Sequence, residues 1–270
     1  MKKEVLDCFN IYKESIFKID SGLSFWNQTL KSTIPNYSNS ADRELRTAIF
    51  CAYDLQYNKI GGSLKCHEKV YRIMNSTLDQ ERINFFNWVM NLAILKAYNA
   101  LEILLYQAIN IVYFPTLQNP LASKKNNNKI QVQVTTFLKN NSIPVNTHNN
   151  EHLLKFLCEK SPKLKSFLYL PMNIDLTTKW IDFFFLISII RNVVVHGGMI
   201  VQKDTHNEIK SRAKDIFERH FDIIKDENAL PILTPKGEVF GNLINNINSL
   251  SIGIYKYIFD EDDLTFIELQ

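Results

Sequence analysis

Between Lys2 and Asp20 the apolar residues Val5, Phe9, Tyr12, Ile16 and Ile19 recur at steps of three and four. That spacing lines up one face of an α-helix and predicts a helix over residues 2–20. Two further helices are expected at about 42–59 and 63–75, the first opened by Ser40 as a cap and closed by Gly61-Gly62. The strongest helical pattern runs from Asp79 to Tyr113, free of Gly and Pro, and stops at Phe114-Pro115. Its apolar positions Phe85, Val89, Leu92, Leu95, Leu101, Leu104 and Leu105 spread over more than one side, so this segment is expected to be the central, buried helix.

From Pro115 to about Asn150 the pattern lapses into Asn, Lys, Pro and Thr, which reads as an insertion around one short segment at 130–139. Shorter helices are expected at about 151–159 and 162–169, before Pro171. A long one begins near Asp175 and carries the apolar run Phe183 to Ile190 into Arg191 and His196, where Gly197-Gly198 breaks it. An amphipathic helix follows over about 204–225, then an irregular stretch with Pro231, Pro235 and Gly237, then a last helix over about 240–258. The fold class is therefore all-α, a helical bundle with extra N-terminal helices. Residues 1–78 are an N-terminal extension packed on the core, 79–259 the main domain with its insertion at about 115–150, and 260–270 an acidic tail. One local rival stands beside this: by propensity, Val193-Val194-Val195 and Met199-Ile200-Val201 also suit a β-hairpin turning at Gly197-Gly198.

Composition narrows the function classes. Of 270 residues, 46% are apolar and 22% charged, which excludes a disordered chain. Asparagine is expected to carry part of the solvent-facing polar load, as in Asn126 to Asn128 and Asn149-Asn150. The formal charge of +3 is too small to draw a polyanion, so nucleic-acid binding would rest on a local patch. Cys8, Cys51, Cys66 and Cys158 have no chelating spacing and read as reduced core residues of a cytoplasmic protein. The first residues lack the apolar stretch of a signal peptide, and Phe183 to Ile190 is shorter than a bilayer requires, so no membrane association is expected.

Candidate chemistry is concentrated in Ile189-Ile190-Arg191-Asn192-Val193-Val194-Val195-His196-Gly197-Gly198, where polar side chains interrupt a long apolar helix. On a regular helix Asn192 and His196 share a face, while Arg191 is turned from His196 by about 140°. This segment resembles the signature of HEPN proteins, an Arg followed after a few residues by a His, with a polar residue directly after the Arg. The preceding long helix with a central Glu102 and the following amphipathic helix also resemble that family. The resemblance spans roughly residues 80–258, and residues 1–75 carry none.

The resemblance implies a metal-independent endoribonuclease, with no cofactor, of the toxin or antiviral-defence type. Its substrates would be exposed single-stranded loops, such as those of tRNA or mRNA, and the expected products a cyclic phosphate or 3′-phosphate and a 5′-hydroxyl. A homodimer with both Arg-His sets facing one groove is implied, as is an antitoxin or regulatory protein that restrains it. The residue types suit the chemistry. His196 exists in both protonation states near neutrality, Arg191 offers a planar fork to phosphate oxygens, and Asn192 can hydrogen-bond substrate or imidazole. The alternative is a catalytically silent HEPN-like module that binds RNA or protein, with Arg191 and His196 in structural roles.

Glu102 reads either as a support for this site or as a salt-bridged surface carboxylate. Lys124, Lys125 and Lys129 in the insertion, with Lys155, Lys160, Lys163 and Lys165, either track an RNA backbone or simply solubilise the surface. Cys66-His67 is adjacent rather than spaced for chelation, and no metal site is expected. Asp260 to Asp263 reads as a solvated end. His148, His152, His206 and His220 lie in polar stretches and are expected at the surface. The chain has no Gly-rich loop followed by Lys-Ser or Lys-Thr, which argues against a common triphosphate site.

Overall fold

A helix apolar all round must lie inside a fold rather than on it, and the segment Trp180–His196 obeys that rule: Phe183 to Ile190 are buried without a break. The computed structural model describes residues 2–38, 42–53, 66–115, 124–145, 147, 149–173, 176–226 and 228–260. Its helices are α1 (Lys2–Thr33), the single turn α2 (Pro35–Ser38), α3 (Leu78–Tyr113), α4 (Lys124–Asn140), α5 (Glu151–Lys160), α6 (Pro162–Leu168), α7 (Trp180–His196), α8 (Lys203–His220) and α9 (Phe240–Tyr257). Two antiparallel hairpins accompany them: β1 (Glu44–Tyr53) with β2 (Cys66–Met74), and β3 (Phe221–Lys225) with β4 (Pro231–Pro235). The fold is mostly α-helical. The chain forms two compact units, residues 1–22 with 89–270, and residues 23–88.

In the larger unit α1 buries Val5, Phe9, Tyr12, Ile16 and Ile19, the stripe its sequence lays out. Phe9 stacks on Tyr255 of α9 at 4.7 Å, and the Tyr12 hydroxyl donates to the Ile247 carbonyl. Tyr98 of α3 meets Phe184 of α7 at 6.0 Å. Among the described residues, the stretch 75–113 is long and apolar enough by composition to cross a bilayer, and half of its apolar window is buried in the fold.

The Asn- and Lys-rich insertion contains a longer helix than the expected segment at 130–139. In α4, Ile130, Val134 and Leu138 at four-residue steps are buried, and Phe137 packs edge-on against Phe156 of α5. Residues 116–123 lie outside the described set.

The helix expected over 204–225 stops at His220. Phe221–Lys225 pairs with Pro231–Pro235, and the stretch expected to be irregular around Pro231 and Pro235 is ordered because both prolines sit at the ends of β4, where a missing N–H costs least. The turn between the strands is held by Asp226, whose Oδ1 accepts the Leu230 amide at 2.7 Å. Asp260, expected in a solvated tail, instead accepts the Lys163 amide at 2.9 Å and the Ser161 hydroxyl at 3.1 Å, closing the N-terminus of α6. Residues 261–270 lie outside the described set.

In the smaller unit the expected helices at 42–59 and 63–75 are corrected to strands β1 and β2, paired from Glu44↔Met74 to Tyr53↔Cys66 with a register shift between Glu44 and Arg46. Ala48, Cys51 and Ala52 satisfy helical spacing, but β1 also carries the β-branched or aromatic Thr47, Ile49, Phe50 and Tyr53 and β2 carries Val70, Tyr71 and Ile73, and the pairing of the two strands decides the outcome. Asn75 fastens the open end, accepting the Arg43 amide on Oδ1 at 2.9 Å and donating its own amide to the Arg43 carbonyl. Ser40 and Gly61-Gly62, the expected cap and stop, lie outside the described residues.

Candidate active site

Helix α7 runs unbroken to His196, so the hairpin alternative for residues 193–201 is not adopted. The reason lies in the two glycines. A Cβ on Gly197 would stand 2.9 Å from the Val193 carbonyl oxygen and 3.1 Å from that of Ile200, and Gly198 takes a φ of 57°. The first position needs room, and the second needs the left-handed region that glycine enters freely. Beyond the turn, Val201 donates to the Pro231 carbonyl and Leu233 to the Met199 carbonyl, which pins the chain along β4.

The end of α7, the start of α8 and the turn before α5 enclose a pocket of about 290 Å³ lined by Asn149, Asn192, His196, Gln202, Thr205 and Glu208 over an apolar floor. Asn192 and His196 thus come together, as one helical turn requires. Arg191 is half-buried and does not line this pocket; its Nη1 donates to Asn192 Oδ1 at 2.8 Å, and its Nε is buried. His196 is exposed.

A polar chain links this site to α3. Arginine only donates, so Asn192 must present Oδ1 to it and Nδ2 to Asn149, whose Oδ1 lies 3.1 Å away. The Ser188 hydroxyl, 2.7 Å from both, donates to the Asn149 carbonyl and accepts from Tyr98 Oη. Asn150, at a φ of 55°, begins α5 without capping it. Its Nδ2 donates instead to Tyr98 Oη at 3.1 Å and to Glu102 Oε1 at 2.5 Å. Burial, against the opposing hydrogen bond from Asn150, pushes the Tyr98 phenol up to about 12, so it remains a neutral donor. Glu102 therefore holds the 149–150 turn through Asn150 and does not line the pocket.

Helix α8 is clamped one turn beyond Glu208. Arg212 reaches Glu151 at 3.0 Å and Asp182 at 2.7 Å, with its guanidinium 3.9 Å from the Phe185 ring centre. Glu208 and Arg212 are four residues apart and share a helix face, which is why Glu208 is carried to the pocket.

Among the described residues, no lysine lines this pocket. Lys124 and Lys125 open α4, and their side chains lie outside the described residues; Lys129 is exposed on the same helix. Lys160 lies over the Phe137 ring at 4.1 Å, and Lys165 pairs with Glu159 at 3.3 Å. Among the described residues, no three His, Cys, Asp or Glu side chains gather as a metal-binding group.

Sequence reasoning missed Asn149, Asn150, Tyr98, Ser188 and Glu208. Asn149, taken as part of a solvent-facing pair, is 4% exposed. The histidine expectation is also corrected: His152 and His220 are buried, at 0% and 2% exposure, while His148 lies outside the described residues. No family model, no curated protein and no solved structure matches the chain.

Proposed function

We propose that this chain is a metal-independent endoribonuclease that cleaves RNA through its own 2′-hydroxyl and acts in the cytoplasm as a toxin or antiviral-defence effector. The observation that carries the reading is the placement of Asn192 and His196 on one pocket wall at the end of a buried helix, with the Arg191 guanidinium held against Asn192. In this reading the 2′-oxygen bonds to phosphorus as the bond to the 5′-oxygen breaks. One proton leaves the 2′-hydroxyl and one reaches the departing 5′-oxygen, giving a 2′,3′-cyclic phosphate and a 5′-hydroxyl. His196 handles a proton, and Arg191 offsets charge on the phosphoryl oxygens. A homodimer would supply a second His196 for the other proton, and a partner protein would restrain the activity. The substrate is a single-stranded RNA loop, whose splayed nucleotides can enter a pocket of this size.

The test is incubation of the purified chain with total RNA and tRNA in excess EDTA, beside Arg191→Ala and His196→Ala. Cleavage that survives chelation, leaves cyclic-phosphate ends and disappears in both variants supports the reading. Cleavage by stable His196→Ala at the wild-type rate defeats it.

One observation favours a second reading, a silent RNA- or protein-binding module. Arg191 is engaged by Asn192 and absent from the pocket wall, an arrangement a purely structural arginine would also adopt. RNA binding without cleavage, unchanged in His196→Ala, would support it.

A further inference from the structure

The pocket's charge is wrong for a phosphate and right for a base. Glu208 contributes a carboxylate to its wall, and Arg191 contributes nothing to it. An anion entering the pocket would meet that carboxylate with no lysine or arginine on the wall to offset it. A phosphodiester is therefore kept at the rim, where His196 is exposed, and the interior suits a neutral group that bears hydrogen-bond donors.

Orientation of the amides sharpens this. Arg191 fixes Asn192 with Nδ2 toward Asn149 Oδ1, which leaves the Asn149 Nδ2 group as a donor. Both asparagines line the pocket with Glu208, so its wall combines amide N–H groups with two carboxylate oxygens. Guanine has the matching edge: an acceptor, O6, followed by two adjacent donors, N1–H and the 2-amino group. Adenine and cytosine set one amino group beside an acceptor, and uracil flanks its single N–H with two carbonyls. Each of those three would turn an acceptor toward the carboxylate. At about 290 Å³ the space is at the small end for ligand sites, suited to one heterocycle.

We infer that the Asn149–Asn192–Glu208 pocket binds a single unpaired guanine of RNA, with Glu208 as the specificity-determining residue. The RNA in this statement rests on the ribonuclease reading, whereas the choice of base rests on the pocket alone.

The probes are fully 2′-O-methylated pentanucleotides UUGUU, UUAUU, UUCUU, UUUUU and the inosine analogue, which lack the nucleophile and so report binding separately from cleavage. Affinities are measured by fluorescence anisotropy on the full chain. The guanine probe is expected to bind at least about ten-fold more tightly than the other three standard bases, with inosine, lacking the 2-amino group, in between. Glu208→Gln replaces one acceptor by a donor and should reduce that preference to less than about three-fold, with an unchanged circular dichroism spectrum because Glu208 is exposed. Equal affinities in the wild type, or a preference that survives Glu208→Gln, overturn the inference. Metal-independent cleavage of natural RNA without guanine preference sinks the base pocket and leaves the ribonuclease. Guanine-selective binding with no cleavage does the reverse.

Discussion

Asn192 and Asn149 meet amide to amide at 3.1 Å, and the sense of that contact is dictated by a third residue, Arg191, on the far side of Asn192. If Arg191 sets the orientation, truncating it removes much of what Asn149 gains from the contact, although Arg191 and Asn149 have no hydrogen bond in common. In a double-mutant cycle, Arg191→Ala with Asn149→Ala is expected to cost less than the two single changes together by at least about 0.5 kcal/mol. Urea unfolding of the four proteins measures it. Strict additivity would mean that Asn192 is oriented by something else.

His196 separates chemistry from stability. Its side chain is exposed and lies at the last turn of α7, so His196→Ala should change unfolding free energy by less than about 0.5 kcal/mol. The same change should lower RNA cleavage by about 10² to 10⁴, the usual contribution of a positioned proton-transfer group. Thermal melts beside end-labelled cleavage assays give both numbers.

The two glycines after His196 should not respond alike. Only Gly198 has a positive φ, and a Cβ there meets nothing within 4 Å; Gly197 has an ordinary φ but a Cβ would press on two backbone oxygens. Gly198→Ala should therefore cost about 1 kcal/mol, the left-handed penalty alone. Gly197→Ala must move the backbone at the Val193 and Ile200 carbonyls and should cost more, about 2 kcal/mol. It should also lower cleavage, since the displaced turn carries His196. Chemical denaturation ranks the pair, and the reverse order would contradict the close approach at Gly197.

How far these features were legible follows from where each is determined. Helix α7 and the Arg191–His196 segment were readable because polar residues break an apolar run at helical spacing, a property of the local sequence. Asn149 and Asn150 were not: polar residues in a loop look solvated until Ser188 and Asn192 of α7, and Tyr98 and Glu102 far back along the chain on α3, are brought to them, and Ser188, inside the apolar run of α7, carries no local sign of its partners. Glu208 had the same difficulty, since only the Arg212 clamp and the turn at Gly197 carry it to the pocket. The β1–β2 hairpin was misread because Ala48, Cys51 and Ala52 fit helical spacing while the deciding partner strand lies across residues 54–65. His220 lies in a polar stretch expected to continue as helix to 225, whereas the chain turns into β3 directly after it.

Arg212 offers a prediction about the clamp itself. It contacts two carboxylates, of which Glu151 is 7% exposed. Removing the guanidinium leaves both acids with no replacement cation on the same bridge, so Arg212→Ala is expected to destabilise the chain by about 3 kcal/mol. Arg212→Met with Glu151→Leu and Asp182→Leu, which removes the charges together, should recover most of that loss. Calorimetric melts of the single and triple variants decide it. A triple variant no more stable than Arg212→Ala would show that the ion cluster contributes more than charge neutralisation.

His220 makes the fold sensitive to acid. Burial lowers its pKa from the usual 6.5 to about 4, with Arg219 and Lys236 adding to the effect and the Val239 backbone opposing it. The neutral ring can accept from Asn246 Nδ2, 3.4 Å from Nε2. Because the folded value lies below the unfolded one, the unfolded chain binds a proton between about pH 6.5 and 4 that the folded chain refuses. The stability from the neutral ring is therefore complete above pH 6.5 and is lost as the pH falls towards 4, with a slope of at most about 1.4 kcal/mol per pH unit. Urea titrations at pH 7, 5.5 and 4.5 should show this slope in the wild type. Replacing the ring with a group that never ionises, His220→Gln, should lower stability at pH 7 through lost packing and flatten the curve over that window. A variant with the wild-type slope would place the acid sensitivity on other groups.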